Sequence, residues 1–296
     1  MLLSQSACRI TYPPSHIVSA SQSSVKVRIP RHRAWLLPTI LCWMLLASSF
    51  RVMAEPIRVR YIEGVTLGFL VLEDKSGKTL AYGELNQIVS GKDGVVTDDL
   101  RFRFKDGSSY QGVTKFTQKD EFRLISDHVV QKGPAFKQDS DISIEAASGT
   151  ITVKTFSNGK EHIESKHLDL PPDVSNGLLF TLVKNLDPSA AETDVTMVAP
   201  STTPRLLKLT IVPGTPVTMG VGLMQHKAQH YIVKFKIGGV AGLVAPLVGK
   251  QPPDMHIWVV KSEAPTFVQA EGPLFEGGPV WRIRLTAPRQ SPAKGK

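Results

Sequence analysis

Apolar and polar residues alternate through most of the chain between residues 56 and 169. The clearest case is the stretch from 100 to 105, in which apolar and basic side chains fall on opposite faces of a strand: Leu100, Phe102 and Phe104 against Arg101, Arg103 and Lys105. Turn signals such as Asp106-Gly107 separate these runs. The pattern predicts about eight antiparallel strands before residue 170, with one packed and one solvated face.

A single helix is predicted after these strands. Asp173 or Ser175 is placed to cap its first turn, and an apolar stripe at helical spacing follows, formed by Leu178, Leu179, Leu182, Val183 and Leu186. The helix should span 173–186 and cover the sheet. Strand patterns resume in six further runs, at 206–212, 217–223, 231–237, 255–261, 266–270 and 280–286.

A meander of this length must curl, pair with a second sheet or close, because wide twisted sheets do not stay flat. The predicted fold is therefore mainly β: a long antiparallel meander curled into a half-barrel or barrel-like sheet, with one covering helix near 173–186. We expect one β-rich domain over 55–288, with a polar connection at 187–204 where it would subdivide, and a disordered tail at 289–296.

Residues 26–54 have the layout of a secretory signal: a basic start, an apolar run, and small residues before Glu55. The alternative is an uncleaved anchor, because the apolar stretch 34–50 has 17 residues and is close to the lower limit for a membrane span. Residues 1–25 are predicted to be a disordered extension. An exported protein is expected, located in the periplasm or cell envelope if the host is Gram-negative.

The leader also explains the charge of the chain, which is +9 in total. Six of the 35 Lys and Arg residues and none of the 26 Asp and Glu residues lie within residues 1–54, so the remainder is almost balanced. This balance argues against nucleic acid as a partner. Both cysteines, Cys8 and Cys42, lie in the leader, which removes disulfides, thiol nucleophiles and cysteine-ligated zinc from the exported part.

The candidate ligand site is an apolar block interrupted by glycine and proline, from residue 237 to 260. One interpretation is a buried crossover under the sheet; the other is an apolar lip over a cavity, because glycine and proline mark loops and loops carry function. The second interpretation predicts a hydrophobic small molecule or lipid as ligand, without a cofactor. The residues predicted to contact it are Val240, Leu243, Val244, Leu247 and Trp258.

The same region resembles the C-terminal part of uncharacterised exported bacterial β-sheet proteins. The residues that carry the resemblance are GGVAGLVAPLVGKQPPDMHIWV from Gly238, EGPLF from Glu271 and GGPVWRIRL from Gly277. The preceding meander is similar in layout to periplasmic domains with half-barrel-like sheets. The resemblance implies a fold and an exported location; it implies no activity and no catalytic residues.

A second candidate surface is the basic stripe of Arg101, Arg103 and Lys105, to which Arg123 on a neighbouring strand would add. It is interpreted either as a solvated outer face or as a surface for anionic lipid headgroups, which would give peripheral envelope association.

No metal site is predicted. His226 and His230 are four residues apart, but in a strand that spacing separates them by about 13 Å. His256 is isolated in the sequence.

The sequence contains no Gly-x-Ser-x-Gly nucleophile motif and no phosphate-binding glycine loop in the required context. Asp98 and Glu121 are interpreted as solvated rim carboxylates. The expected function is therefore that of an exported, non-enzymatic β-rich protein that binds a hydrophobic or lipid-like ligand in the cell envelope. The alternatives are an exported hydrolase of an envelope polymer or ester, with carboxylates or His230 as the base, and an envelope scaffold protein.

Overall fold

The computed structural model describes residues 56–91, 94–157, 159–199, 201, 203–221, 224–236 and 252–287. The predictions for the leader, for the tail at 289–296, and for Val240, Leu243, Val244 and Leu247 lie outside these residues.

The described chain forms fifteen strands and one helix. These are β1 (Thr66–Glu73), β2 (Thr79–Ser90), β3 (Val95–Phe104), β4 (Ser109–Gln118), β5 (Phe122–Lys132), β6 (Asp139–Glu145), β7 (Thr150–Ser157), β8 (Lys160–His167), α1 (Leu179–Asn185), β9 (Thr193–Ala199), β10 (Arg205–Pro213), β11 (Val217–Val221), β12 (Met224–Lys236), β13 (Met255–Val260), β14 (Thr266–Pro273) and β15 (Val280–Thr286).

All fifteen strands belong to one antiparallel sheet with the order β8-β7-β6-β5-β4-β3-β2-β1-β15-β14-β13-β12-β10-β9. β11 pairs with the first part of β12, beside the position that β10 occupies on its second part. The pairing of β1 with β15 joins the two halves, and the edge strands β8 and β9 are not paired with each other. The predicted antiparallel meander with one helix is confirmed.

Contacts between aromatic rings show that the sheet curls. Phe104 in β3 and Trp281 in β15 are three strand spacings apart, about 14 Å in a flat sheet, yet their ring centroids are 5.5 Å apart. Phe136, in the loop after β5, lies 6.4 Å from the Trp281 ring although five spacings separate β5 from β15. The core therefore fills the concave face.

The core follows from the period-two pattern. Alternate residues of most strands point into one hydrophobic cluster that includes Leu72, Phe102, Phe116, Ile144 and Ile211, together with Leu182 and Val183 of α1. Phe102 and Phe116 are almost completely buried. Full burial of a side chain of this size contributes about 1.5–3 kcal/mol.

The helix begins at Leu179, later than the predicted start at 173. The residues before it run along the edge of β9 instead: Val174 forms a parallel bridge with Thr196. The Asn176 side chain donates to the carbonyl of Val198 and accepts from its N–H, and so copies a backbone pairing. Asp173 accepts from the hydroxyl of Thr196 and does not cap the helix. Polar side chains therefore hold the segment extended and cover that edge.

The alternating pattern begins near residue 56, but residues 57–61 form no strand: Arg58 forms a single bridge with Glu121, and regular pairing starts at Thr66. The residues before β1 cross from β5 towards β1. Within the described ranges, no helix has the length and apolar character needed to cross a membrane.

Candidate functional site

Exposed apolar side chains are concentrated where β1 begins, partly on the outer face of β1 and β2 and partly in the segment just before β1; we call them the apolar strip. We define the strip by its exposed members, which are Ile62 (79% exposed), Val65 (76%), Leu67 (56%), Ile88 (48%) and Phe69 (36%). Leu67 and Phe69 alternate with core residues of β1, and Ile88 lies diagonally across from Leu67 on β2. Contiguous exposed apolar residues on a folded domain mark an interaction site.

Glu63, which lies between Ile62 and Val65 in the chain, points into the protein. It is buried, its carboxylate accepts from Gln87 Nε2 at 3.1 Å, and it pairs with Lys184 Nζ of α1 at 2.6 Å. Its backbone N–H and carbonyl both bond to the side-chain amide of Gln118, at 2.7 and 2.9 Å. Glu63 is therefore fixed inward, while Ile62 immediately before it is exposed.

The rest of the crossing segment, residues 57–65, is also bonded to the sheet. The N–H of Val59 donates to Asp120, and Ile57 accepts from the N–H of Phe122. The N–H groups of Arg60 and Tyr61 both donate to Asn185 Oδ1 of α1, at 2.9 and 2.8 Å. The strip therefore rests on a segment held by tertiary hydrogen bonds, and its exposure is not the result of a loosely attached chain.

Exposed cations lie at this end of the sheet. The register of β1 to β4 sets the start of β1, the start of β3 and the end of β4 at the same end, so the β4–β5 turn is there as well. Lys119 in that turn and Arg58 beside it are exposed. Arg60 and Arg123 are at the same end but are paired with carboxylates: Arg60 with Asp187 and Arg123 with Glu121, both at 2.6 Å.

A row of polar side chains crosses the concave face of β2 to β5, near the same end of the sheet. Gln87, Asp98, Thr114 and Asp127 are directly paired positions on β2, β3, β4 and β5. Asp98 is 8% exposed, so the prediction that it is a solvated rim carboxylate is wrong. Burial, followed by the negative charge of Glu63, raises the pKa of Asp98 to about 7, against the opposing effect of Lys184.

Asp127 is buried in the same way. Burial raises its pKa to about 6, although the Thr114 hydroxyl donates to it at 2.7 Å and favours the charged form. Oδ1 of Asp98 has no hydrogen-bond partner among the described residues. These carboxyl groups can hold protons, but both are sealed inside the core.

The residues proposed for a hydrolase are not brought together. Asp98 faces the core, Glu121 is paired with Arg123 at the surface, and His230 lies on the outer face of β12 in the other half of the sheet. In the part of the chain that the structure describes, no three His, Cys, Asp or Glu side chains are grouped to hold a metal ion.

The residues of the predicted basic stripe share one exposed face of β3. Arg101 Nε donates to Asp99 at 2.9 Å, and this carboxylate raises the pKa of Arg101. Lys105 lies 5.9 Å above the ring of Tyr82. With Arg101 paired to Asp99, and Arg123 paired to Glu121, the stripe is less positive than the sequence suggests.

Trp258, predicted to line a ligand cavity, lies half-buried on the outer face of β13, while Ile257 and Val259 face the core. Within the described ranges, the concave face is filled by core side chains. A cleft of about 310 Å³, counted with the solvent it opens to, lies between the end of α1 and β12, where Leu186, Asp187, Gln229 and Tyr231 line it. Because that volume includes open solvent, the enclosed space is much smaller than an ordinary small-molecule pocket.

The structure joins two histidines that the sequence analysis separated. His230 Nε2 and His256 Nδ1 are 2.9 Å apart, and the ring of Trp258 stacks on His230 with centroids 4.7 Å apart and planes 8° apart. Burial lowers the pKa of His230, and the nearby His256 lowers it further, while Glu271 acts in the opposite direction. Only the register of β12 against β13, in which His230 faces Trp258, would have revealed this contact.

No protein-family model matches the sequence, and neither a curated protein nor a solved structure is significantly similar to the chain.

Proposed function

We propose that this protein is a non-catalytic lipid-binding protein of the cell envelope, which docks on a bilayer surface through the apolar strip. The observation that carries the proposal is the rigid exposure of Ile62, Val65 and Leu67 beside the buried Glu63. Residues of this kind insert between lipid headgroups, where their apolar area leaves water and the charges around them remain solvated.

The position of the strip along the chain favours a bilayer as the occupant. The apolar stretch 34–50 ends six residues before Pro56, and six residues span at most about 20 Å. Ile57 is bonded to Phe122 at the end of the sheet that carries the strip. If the stretch acts as an anchor, the strip is therefore held close to the membrane. If the leader is removed, the strip and the exposed Arg58 and Lys119 supply peripheral attachment to anionic lipid.

The alternative mode of lipid binding is to hold a lipid inside the curled sheet. The core that fills the described concave face favours the surface mode over this internal mode. Lipid extracted from purified protein distinguishes them, because internal binding requires a stoichiometric lipid that survives detergent-free purification, whereas surface docking does not.

A fluorescent label that responds to its environment tests the surface mode directly in the full chain. Val65→Cys is labelled with NBD in a Cys8→Ser, Cys42→Ser background, and vesicles of phosphatidylcholine and phosphatidylglycerol are added. We expect a blue-shifted, brighter emission from position 65. The matched control is Ile163→Cys: Ile163 is also β-branched and is 54% exposed, but it lies on the edge strand β8.

The control separates docking from attachment through the leader, which would bring the chain to vesicles without placing position 65 in lipid. The proposal is wrong if the vesicles bind the chain and position 65 responds no more than position 163. If the strip binds a soluble protein instead, vesicles should again change the fluorescence at position 65 no more than at position 163. Envelope extract freed of lipid should then change the fluorescence at position 65.

A further inference from the structure

The histidine pair on the outer face of the sheet is independent of the strip. His230 and His256 lie on β12 and β13, in diagonal positions of neighbouring strands, since His230 pairs with Trp258 and Ile232 with His256. Their nitrogens Nε2 and Nδ1 are 2.9 Å apart, within hydrogen-bond distance. In such a bond a single proton lies between two imidazole lone pairs.

We infer that His230 and His256 form a two-histidine binding site for a divalent transition-metal ion, with Cu²⁺ as the preferred ion. An imidazole nitrogen binds such ions at about 2.0–2.1 Å, so two neighbouring ligands of a square-planar ion lie about 2.9 Å apart. The observed separation matches that distance, but the ring centroids are 5.1 Å apart, so in the hydrogen-bonded pair the two lone pairs point at each other. Binding therefore replaces the shared proton and requires the His256 ring to turn until both nitrogens face the ion; water completes the coordination.

The surroundings hold the His230 ring in place. Trp258 stacks on one side of it, and Gly214 packs so closely that a methyl group at that position would come within 2.6 Å of Nδ1. The N–H of Gly214 also donates to the carbonyl of His230 at 2.8 Å. A ring with so little freedom loses little conformational entropy when it binds an ion.

The local charge also favours a cation. Glu271 of β14 is directly opposite His256. Both of its hydrogen bonds, from Arg282 Nε at 2.7 Å and from Gln269 Nε2 at 3.1 Å, are made to Oε1. The negative charge of Glu271 is therefore partly neutralised by Arg282, but the carboxylate stays next to the two histidines. No described side chain is placed as a third ligand, which limits the site to moderate affinity.

Fluorescence tests the site because Trp258 lies against it. We expect Cu²⁺ to quench part of the emission of the full chain at one equivalent per chain, and the Trp258→Phe variant to lose this component. Each of His230→Gln and His256→Gln should weaken binding at least tenfold. His162→Gln is the control, because His162 is an exposed histidine on the distant strand β8 and its variant should bind as the original protein does.

Electron paramagnetic resonance of the unmodified full chain with one equivalent of Cu²⁺ gives a second measurement that needs no variant. We expect a tetragonal spectrum with superhyperfine coupling to two nitrogens. A spectrum without two coupled nitrogens overturns the inference even if the glutamine variants fail to fold. Equal affinity in His230→Gln, His256→Gln and His162→Gln overturns it as well, because the ion would then be bound elsewhere.

Discussion

Glu63 and Lys184 form an ion pair at 2.6 Å, although they are 121 positions apart in the chain. Their side chains are 9% and 14% exposed. The pair ties the crossing segment to α1, and therefore ties the position of the strip to the packing of the helix. A buried pair of this kind is weak evidence for added stability, but losing one partner leaves an uncompensated charge in the core.

Lys184→Met should therefore lower the free energy of unfolding by about 3–5 kcal/mol, because Glu63 would remain buried without its cation. Glu63→Gln combined with Lys184→Met should recover part of that loss, because no charge is then left unpaired. Urea denaturation followed by circular dichroism measures both. The control is Arg123→Met, which breaks an exposed pair with Glu121 and should cost less than about 1 kcal/mol. An equal loss of unfolding free energy in Lys184→Met and Arg123→Met would show that the Glu63–Lys184 pair is not buried in this way.

The stability of the fold should fall as the pH rises, because of Asp98. Its pKa is raised from 3.8 to about 7 in the folded protein, so folding favours the neutral carboxyl group. The free energy of unfolding should be highest near pH 4 and fall as the pH rises through 7, by at most about 4 kcal/mol from this group. Asp98→Asn should remove that part of the pH dependence and stabilise the protein at pH 8 relative to the original chain.

Urea denaturation between pH 4 and pH 8 measures this dependence. Asp127, whose pKa is about 6, acts in the same direction over a lower range and remains in the variant. Asp120→Asn alters an exposed carboxylate and serves as the control. If Asp98→Asn and Asp120→Asn have pH profiles of the same slope, Asp98 does not titrate in the way that its burial implies.

Position 177 requires glycine for two reasons: its backbone conformation and the lack of space for a side chain. Its φ is +70°, and a Cβ there would lie 1.9 Å from Thr114 Oγ1 and 2.7 Å from Asp127 Oδ1. Gly177→Ala should therefore lower the melting temperature much more than Gly107→Ala, whose φ is +88° but whose Cβ would meet no atom within 4 Å. We expect about 1 kcal/mol for the control and several times that for Gly177→Ala. Similar melting temperatures would show that residues 173–178 are not packed on β4 and β5 as described.

Phe136 should contribute strongly to the curl of the sheet. It is 7% exposed, and its ring lies 5.4 Å from that of Phe104 and 5.3 Å from that of Phe275. Phe136→Ala should cost about 3–5 kcal/mol, because it opens a cavity in this cluster. Phe156→Ala removes the same side chain from a position 38% exposed and should cost much less. Calorimetry of the two variants makes the comparison, and equal losses would speak against the cluster.

The alternation of Leu100 to Lys105 predicted β3 because side-chain direction in a strand depends on local period alone. Val280 to Thr286 was predicted as a strand for the same reason, and both predictions are confirmed. The helix start was wrong because Ser175 and Asn176 suit a cap and an extended edge equally well by residue type. Which one they form depends on β9, and the sequence does not indicate that β9 is near.

The candidate sites were harder to predict for a related reason. Glu63 is a charged residue, and its burial depends on Gln87, Gln118 and Lys184, which converge only when the sheet curls. His256 is isolated until the register of β12 against β13 sets it beside His230. Local periodicity indicates the face on which a residue lies; it does not indicate which distant strand lies beside it.

The ladder between β1 and β15 also sets the order in which the molecule can assemble. Glu73 and Arg284 bond across it at 2.6 Å, although they are 211 positions apart in the chain, whereas β2 to β8 pair only with their immediate sequence neighbours. The first eight strands can therefore form as soon as they leave the ribosome, but β1 exposes an unpaired edge until the final strand has been synthesised. Contacts this distant slow folding, so a chain truncated before Val280 should aggregate through that edge.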